Sequence, residues 1–334
     1  MIKYYALLLL TLSSLFTTGC FFRPQTYTDT RFLMDTTINI TLYGSNQEEL
    51  KVDANQAFNV FKDVADETDR YESHLPTDLY ALNKQAGQGA FTPGHHLYYL
   101  LDWERKKPYT AVDLSLGPLI DLWKLHSKNK TVPSGEEIKA ALAKCGKDKY
   151  TLDTAAQTVT LKPEANLDLG AVAKGYAVDC AAESLKKAAS VKAALINAGG
   201  NIKVLGTKPD GKPWHIAIQD PRDNQKILGT LTLKAGMSVA TSGDYQRFYE
   251  VNGVRYHHIL NPQTGLPSRN ARSTTAIAES ALTADYYSTL LFVLPEEEAI
   301  KVVENTPGLQ AVILNSKNEL YVSPGLQADF TPEK

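Results

Sequence analysis

Cysteine is scarce in this chain, with three in 334 residues, too few to staple a small disulfide scaffold. Basic blocks are missing as well. With 35 Lys and Arg against 37 Asp and Glu, the chain offers no stripe for a phosphate backbone, which excludes nucleic acid as a partner. No zinc-helix motif, CxxC pair, P-loop, dinucleotide fingerprint or nucleophile elbow occurs in it. Internal repeats and low-complexity blocks are lacking too. Disorder is excluded by a composition that is 43% hydrophobic and 9% aromatic. What remains is a globular enzyme or small-molecule binder, in a chain long enough to bury roughly 75% of its unfolded surface.

The first residues are a separate object. Lys3 precedes an apolar stretch from Tyr4 to Phe16, which ends in Thr17-Thr18-Gly19-Cys20. A charged start and a short apolar core read as an export signal over residues 1–19, too short to be a stable membrane span. The cysteine after Gly19 resembles the lipobox of bacterial lipoproteins, which implies cleavage before Cys20 and lipidation on it. A soluble secreted protein with an incidental cysteine is the alternative. Residues 20–30, with Pro24 and no periodicity, read as a tether to a domain over residues 31–334. Removal of residues 1–19 takes away Lys3 and no acid, moving the formal charge from −2 to −3. No later stretch is long and apolar enough to span a bilayer.

The remaining pattern alternates irregularly between strands and helices. Ile38, Ile40 and Leu42 alternate with polar residues, which predicts a half-buried strand over Thr36 to Tyr43. Asn46 caps a helix carrying Leu50, Ala54, Ala57, Phe58, Phe61 and Val64 at helical spacing, to about Thr68. Further helices are predicted over His95 to Lys107, Gly135 to Lys144, Ala171 to Ala189 and Thr283 to Leu294. Ala193 to Ala278 is strand-rich. Strands grouped between helices favour a single large α+β domain with largely antiparallel sheets over a doubly wound fold.

Four clusters could carry chemistry. Asp168, Gly170 and Lys174 lie at a predicted helix start, where anions are favoured; an ordinary N-cap Asp and a solvated Lys are the alternative. Asp285 and Thr289 stand four apart on a helix, so both oxygens can reach one hard cation. An exposed Asp and a back-bonding Thr fit that spacing too. Val239 to Tyr245 and Tyr256 to Pro267 gather hydroxyls, glycine and the pair His257-His258, either a base near neutral pH or a hydrogen-bonded turn. Ala193 to Asn201 runs a strand into Gly199-Gly200, allowing close backbone approach to a ligand or a tight strand connection. Cys145 and Cys180 have no activating neighbours in sequence and read as small buried residues.

Taken in order, these segments resemble the ApbE-like flavin transferases, the FAD:protein FMN transferases of bacteria. The resemblance runs through Met34-Asp35-Thr36-Thr37, Ala111 to Leu119, Asp168 to Asp179, Asn197 to Gly200, Ala240 to Tyr245, His258 to Pro267, and Ala284-Asp285 to Thr289. It implies a Mg²⁺-dependent enzyme that cleaves FAD, moves FMN onto a Ser or Thr hydroxyl of an acceptor flavoprotein, and releases AMP. The acceptors of the family are often membrane redox subunits, with the hydroxyl in a short Gly-Ala-containing motif. By the same resemblance Asp285, Thr289 and the Ala171 carbonyl hold the metal. Lys174 faces the pyrophosphate, Asp168 lies beside the nucleotide, and His258 is the base. Met34, Tyr71, Ala111, Val112, Asp113 and Ile259 match positions lining the flavin or adenine. Some relatives carry a second acid immediately before the metal-site Thr, where this chain has Ser288. Export and lipidation imply a membrane-anchored protein facing the periplasm or cell exterior. Two rivals share these residues: an FAD pyrophosphatase, and a lipoprotein that binds FAD without chemistry.

Overall fold

In chain order, the computed structural model runs β1 (Gln25–Leu33), β2 (Thr36–Gly44), α1 (Gln47–Thr68), α2 (Asp78–Lys84), β3 (Ala90–Phe91) and α3 (His95–Arg105). There follow α4 (Gly117–Asn129), α5 (Gly135–Leu142), β4 (Tyr150–Asp153), β5 (Thr158–Leu161), α6 (Ala173–Lys187), β6 (Val191–Ala198) and β7 (Asn201–Leu205). Next come β8 (Trp214–Gln219), β9 (Ile227–Leu233), β10 (Ser238–Gly243), β11 (Phe248–Val251), β12 (Val254–His257) and β13 (Ala271–Ala278). The chain closes with α7 (Ala281–Val293), α8 (Glu296–Asn305), β14 (Gln310–Asn315), β15 (Leu320–Val322) and β16 (Phe330–Pro332). The structure describes residues 24–71 and 76–333, so the expected leader and Cys20 lie outside it.

The frame is an eight-stranded sheet in the order β1-β2-β6-β7-β10-β13-β14-β15. Its strand pairs are all antiparallel, in keeping with the expected α+β class. Both faces of its centre are covered. Ala194, Ile196, Ala276 and Ile313 face the main core with Phe58 and Phe61 of α1, Ala177 and Ala181 of α6, and Tyr286 and Leu290 of α7. The intervening residues Ala193, Ile277 and Val312 turn to the other side and pack on Trp214, Ile216 and Leu231 of the small sheet β16-β9-β8. That two-residue period is the strand pleat, and burial on both sides accounts for adjacent apolar pairs such as Ala193-Ala194, Ala276-Ile277 and Val312-Ile313. Helix α7 is buried nearly all round, which places its polar residues inside the protein.

One expectation fails at the N-terminus. Residues 25–30 are not tether but the first part of β1, which pairs with β2 from Gln25↔Gly44 to Leu33↔Thr36. Tyr27, Asp29, Arg31 and Leu33 are half-buried, alternating with exposed Thr26, Thr28, Thr30 and Phe32. β-Branched and aromatic residues suit such an edge strand, and an edge strand needs no apolar face to announce it.

Candidate active site

The site is built around the start of α6. Asp168 N–H donates to Leu114 O at 2.8 Å and Gly117 N–H to Asn166 O at 3.1 Å, so the segment from Ala111 to Gly117 flanks the loop that enters the helix. Asp168 does not cap α6, as one sequence reading allowed. The N-cap is Val172, with no side-chain hydrogen bond and no acid in the first turn. Asp168 instead accepts the Gly170 N–H at 2.8 Å and faces Arg70 Nη1 at 3.4 Å. The helix thus begins with its positive end uncapped by any side chain of its own, a place where anionic groups are stabilised. Lys174, half-buried in the first turn, donates to Gly170 O at 3.1 Å.

Helix α7 meets α6 at this point. A Cβ on Gly175 would lie 2.3 Å from Ala281 O and 2.6 Å from Asp285 Cβ, so only glycine permits the approach. The Gly175 N–H donates to Asp285 Oδ2 at 2.8 Å. Gly175→Ala should therefore cost about 1–3 kcal/mol from overpacking and displace Asp285. Thermal melts and Mg²⁺ titration would check this, and a variant with unchanged melting and metal affinity would contradict it.

Asp285 is 6% exposed. Burial pushes its pKa up to about 6, against the pull of Lys174, the Gly175 N–H and the Asn201 side chain. Asn201 follows the Gly199-Gly200 turn, and its Oδ1 is a buried acceptor without a donor. One helical turn after Asp285, Thr289 Oγ1 lies 3.3 Å from Ser242 Oγ, which also contacts Ser288 Oγ at 2.9 Å. The predicted four-residue spacing holds, with Thr289 facing β10.

Among the described residues, no group of three or more His, Cys, Asp or Glu is placed to hold a metal. Any cation here depends on one carboxylate supplemented by hydroxyl and carbonyl oxygens. Mg²⁺ suits that set, because it binds oxygen and uses one or two carboxylates when phosphates complete its shell. A buried carboxylate with an incomplete counter-charge and an orphaned amide oxygen beside it fit such an ion. Ala171 lies in the turn immediately before α6.

The two histidines separate cleanly. His257 is 3% exposed, with Nε2 donating to Ser268 O at 2.7 Å and Nδ1 accepting the Ile259 N–H at 3.2 Å. Both nitrogens are committed, and the ring packs edge-on against Phe292. Burial lowers its pKa from 6.5 to about 4. The unfolded chain therefore binds the extra proton between those values. The stability contributed by this group is complete above about pH 6.5 and is lost as pH falls toward 4, amounting to about 3 kcal/mol. Denaturant unfolding at pH 7 and pH 4.5 should show a smaller acid loss in His257→Asn than in wild type; equal losses would remove this explanation.

His258 faces outward and is held by Arg247 O, 3.2 Å from its Nδ1. That contact places the proton on Nδ1 and leaves the Nε2 lone pair free. Desolvation of the side of the ring that rests on the protein, together with His257, Arg247 and Lys174, lowers its pKa, although its outer edge stays exposed. The ring is neutral at pH 7, as a base must be.

The other expected residues surround these. Met34 and Asp35 form the two-residue tip of the β1–β2 hairpin at φ 52° and 56°, a left-handed pair unusual for non-glycine residues. Arg247 Nη2 donates to Asp35 O at 3.1 Å, tying this tip to the segment that holds His258. Tyr71 is half-buried, with the Lys124 ammonium 3.9 Å and the Arg70 guanidinium 5.2 Å from its ring centre. Ala111, Val112 and Ile259 are buried. The Asp113 carboxylate accepts from Ser115 N and Oγ at 2.8 and 2.7 Å, so it shapes its own loop.

Sequence reasoning missed Arg70, and it placed Asn201 and Ser242 in candidate segments without giving either a role. Arg70 is buried and binds Asp121 at 2.7 Å, Asn166 at 2.8 Å and Asp168 at 3.4 Å, fixing the loop ahead of α6. Cys145 and Cys180 are free and half-buried, with burial raising both thiols to about 11, which agrees with an inert role. A cavity of about 670 Å³ lies on another face of α6, lined by His95, Tyr99, Tyr176, Cys180 and Glu183, and contains none of the site residues above.

Comparison with known proteins places the fold and the family. A model described as the ApbE family matches residues 34–313. A protein of Klebsiella pneumoniae named FAD:protein FMN transferase is 32% identical over 319 residues, covering 92% of this chain and 95% of the relative. The crystal structure of the ApbE protein of Thermotoga maritima superposes with a TM-score of 0.80 at 31% identity, covering 91% of this chain and 99% of that one. The apo structure of the Pseudomonas stutzeri flavinyl transferase ApbE gives 0.77 at 28% identity, covering 94% and 96%.

Proposed function

The chain belongs to the ApbE family, and from that premise we propose that it is an FAD:protein FMN transferase whose working residues meet at the start of α6. The observation that carries this reading is the buried Asp285 carboxylate, which accepts the Gly175 N–H in the first turn of α6 beside Lys174.

In the reaction, the Oγ of an acceptor Ser or Thr attacks the phosphorus on the FMN side of the FAD pyrophosphate. An O–P bond forms, the bond to the bridging oxygen breaks, and AMP departs with that oxygen. Nε2 of His258 takes the hydroxyl proton. Lys174 and the α6 N-terminus stabilise charge on the phosphate oxygens, the main requirement of phosphoryl transfer. Mg²⁺, held by Asp285, Thr289 and the Ala171 carbonyl, would supply further charge neutralisation. Asp168 orders the loop on which Lys174 rests. Tyr71 offers an aromatic face for a ring of the substrate, and Met34, Ala111, Val112, Asp113 and Ile259 complete the walls.

The same enzyme is proposed to be exported and lipidated on Cys20, which places it at a membrane facing the periplasm or cell exterior, near a membrane redox acceptor. The leader sequence supports this. Among the described residues no helix is long and apolar enough to cross a membrane, so an anchor would lie outside them. Since β1 begins at Gln25, the link from Cys20 to the sheet reaches at most roughly 18 Å. Cys20→Ser should move the protein from the membrane fraction to the soluble one; unchanged fractionation would contradict the anchor.

Incubation with FAD, Mg²⁺ and an acceptor tests the activity. Intact-mass analysis should find FMN on one Ser or Thr of the acceptor. Free FMN and AMP with an unlabelled acceptor would indicate hydrolysis, and unchanged FAD would indicate a carrier.

A further inference from the structure

A groove of about 640 Å³ runs between the β8–β9 loop, residues 220–224, and the start of the β11–β12 hairpin, with Tyr245, Gln246, Phe248 and Arg255 on its other wall. Building on the transferase reading above, we propose that this groove seats the acceptor polypeptide and delivers its hydroxyl to His258.

Position is the first argument. Gln246 and Phe248 line the groove, and Arg247 between them supplies the carbonyl that holds the His258 ring. A segment lying in the groove is one residue away from the support of the base. The nucleotide elements Lys174, Gly175 and Asp285 are not among its lining residues.

The chemistry of the wall suits a peptide. Phe248 is 42% exposed, and the Arg255 guanidinium lies 4.0 Å from its ring centre, making an aromatic and cationic surface of the kind that anchors protein partners. Asp244 at 3.8 Å from Nη1 and Glu250 at 3.6 Å from Nε flank the Arg255 guanidinium and hold it against the Phe248 ring. Asp220 and Asp223 offset the charge of Arg222 and Arg255 along the lining. A polyanionic dinucleotide gains little there, whereas a neutral main chain finds both donors and acceptors.

Rigidity and open backbone complete the case. Asp244 binds Arg222 through two hydrogen bonds of 2.7 and 2.6 Å, and Asp220 Oδ1 accepts the Arg222 N–H at 2.7 Å, fixing the loop. Among the described residues, β11 and β12 pair only with each other. Their outer edges can therefore receive an added extended strand.

The test uses a soluble reporter domain displaying one Thr flanked by Gly and Ala in a flexible loop. Phe248→Ala and Arg255→Met should each raise the KM for the reporter about tenfold, the loss of one anchoring contact. Reporter turnover at saturation, KM for FAD and reporter-independent AMP release should stay within about twofold, and Phe248→Tyr should restore most of the affinity. An unchanged reporter KM in both variants overturns the proposal, as does a matching rise in the KM for FAD. Failure of the wild-type protein to label the reporter is a different result: it contradicts the transferase reading itself, and the groove assignment falls with it.

Discussion

Asp285→Ala is expected to lower FMN transfer by on the order of 10³-fold or more, because a bound cation supplies several kcal/mol of charge stabilisation to a phosphoryl transition state. The effect is large because Asp285 is the carboxylate among the three proposed ligands, and little else can substitute for it. It is buried, its partners are the Gly175 N–H and the Asn201 side chain, and Lys174 acts on it through space. Asp285→Asn separates charge from shape. The amide keeps an acceptor for the Gly175 N–H and nearly the same volume, and it removes the desolvation that raises the native carboxyl to about 6. Without metal, the Asn variant should melt no lower than wild type, yet it should lose Mg²⁺ binding and turnover together. Calorimetric titration with Mg²⁺ and AMP release from FAD measure both. Full activity in either variant would sink the metal assignment.

His258→Ala should slow transfer by about 10² to 10⁴-fold, the usual range for a general base, while the dissociation constant for FAD changes little. The asymmetry is what identifies the role. A residue acting mainly in the transition state lowers turnover, whereas one that holds the ground-state ligand affects binding equally. The contact to Arg247 O fixes the tautomer, and the lowered pKa keeps Nε2 unprotonated at neutral pH. Transfer by the wild-type enzyme should accordingly be flat through neutrality, with its acid limb below the ordinary histidine range, and the variant should lose that limb. If FAD binding and turnover fell in equal measure, the assignment would fail.

Five helices were legible in the sequence, whereas α2, α4 and α8 were not, although Thr77 caps α2 and prolines stand at the starts of α4 and α8. Asn46 announces α1 and does cap it, and α3, α5, α6 and α7 end within two residues of their predicted limits. The pairing of Asp285 with Thr289 was legible for the same reason, since helical spacing is local. Relations between distant segments were not. Gly175 and Asp285 are 110 residues apart, and nothing in either segment states that one N–H serves the other. Arg70 reads as an ordinary surface arginine until the fold places it against Asp121, Asn166 and Asp168. The edge strand β1 was mistaken for tether because one open side relaxes the hydrophobic alternation by which strands are recognised. The tip at Met34 and Asp35 carries none of the Asn-Gly signals of a two-residue hairpin, yet it adopts that geometry. The catalytic identity came from the ordered set of segments, since each motif alone admits a structural explanation.

The most direct test is the ratio of AMP released to flavin covalently attached to the acceptor, measured in one reaction of the wild-type protein with FAD, Mg²⁺ and acceptor. Transfer through attack of the acceptor hydroxyl predicts one AMP for each protein-bound FMN, with both products lost together in Asp285→Asn. AMP accumulating with free FMN while the acceptor stays unlabelled would contradict it.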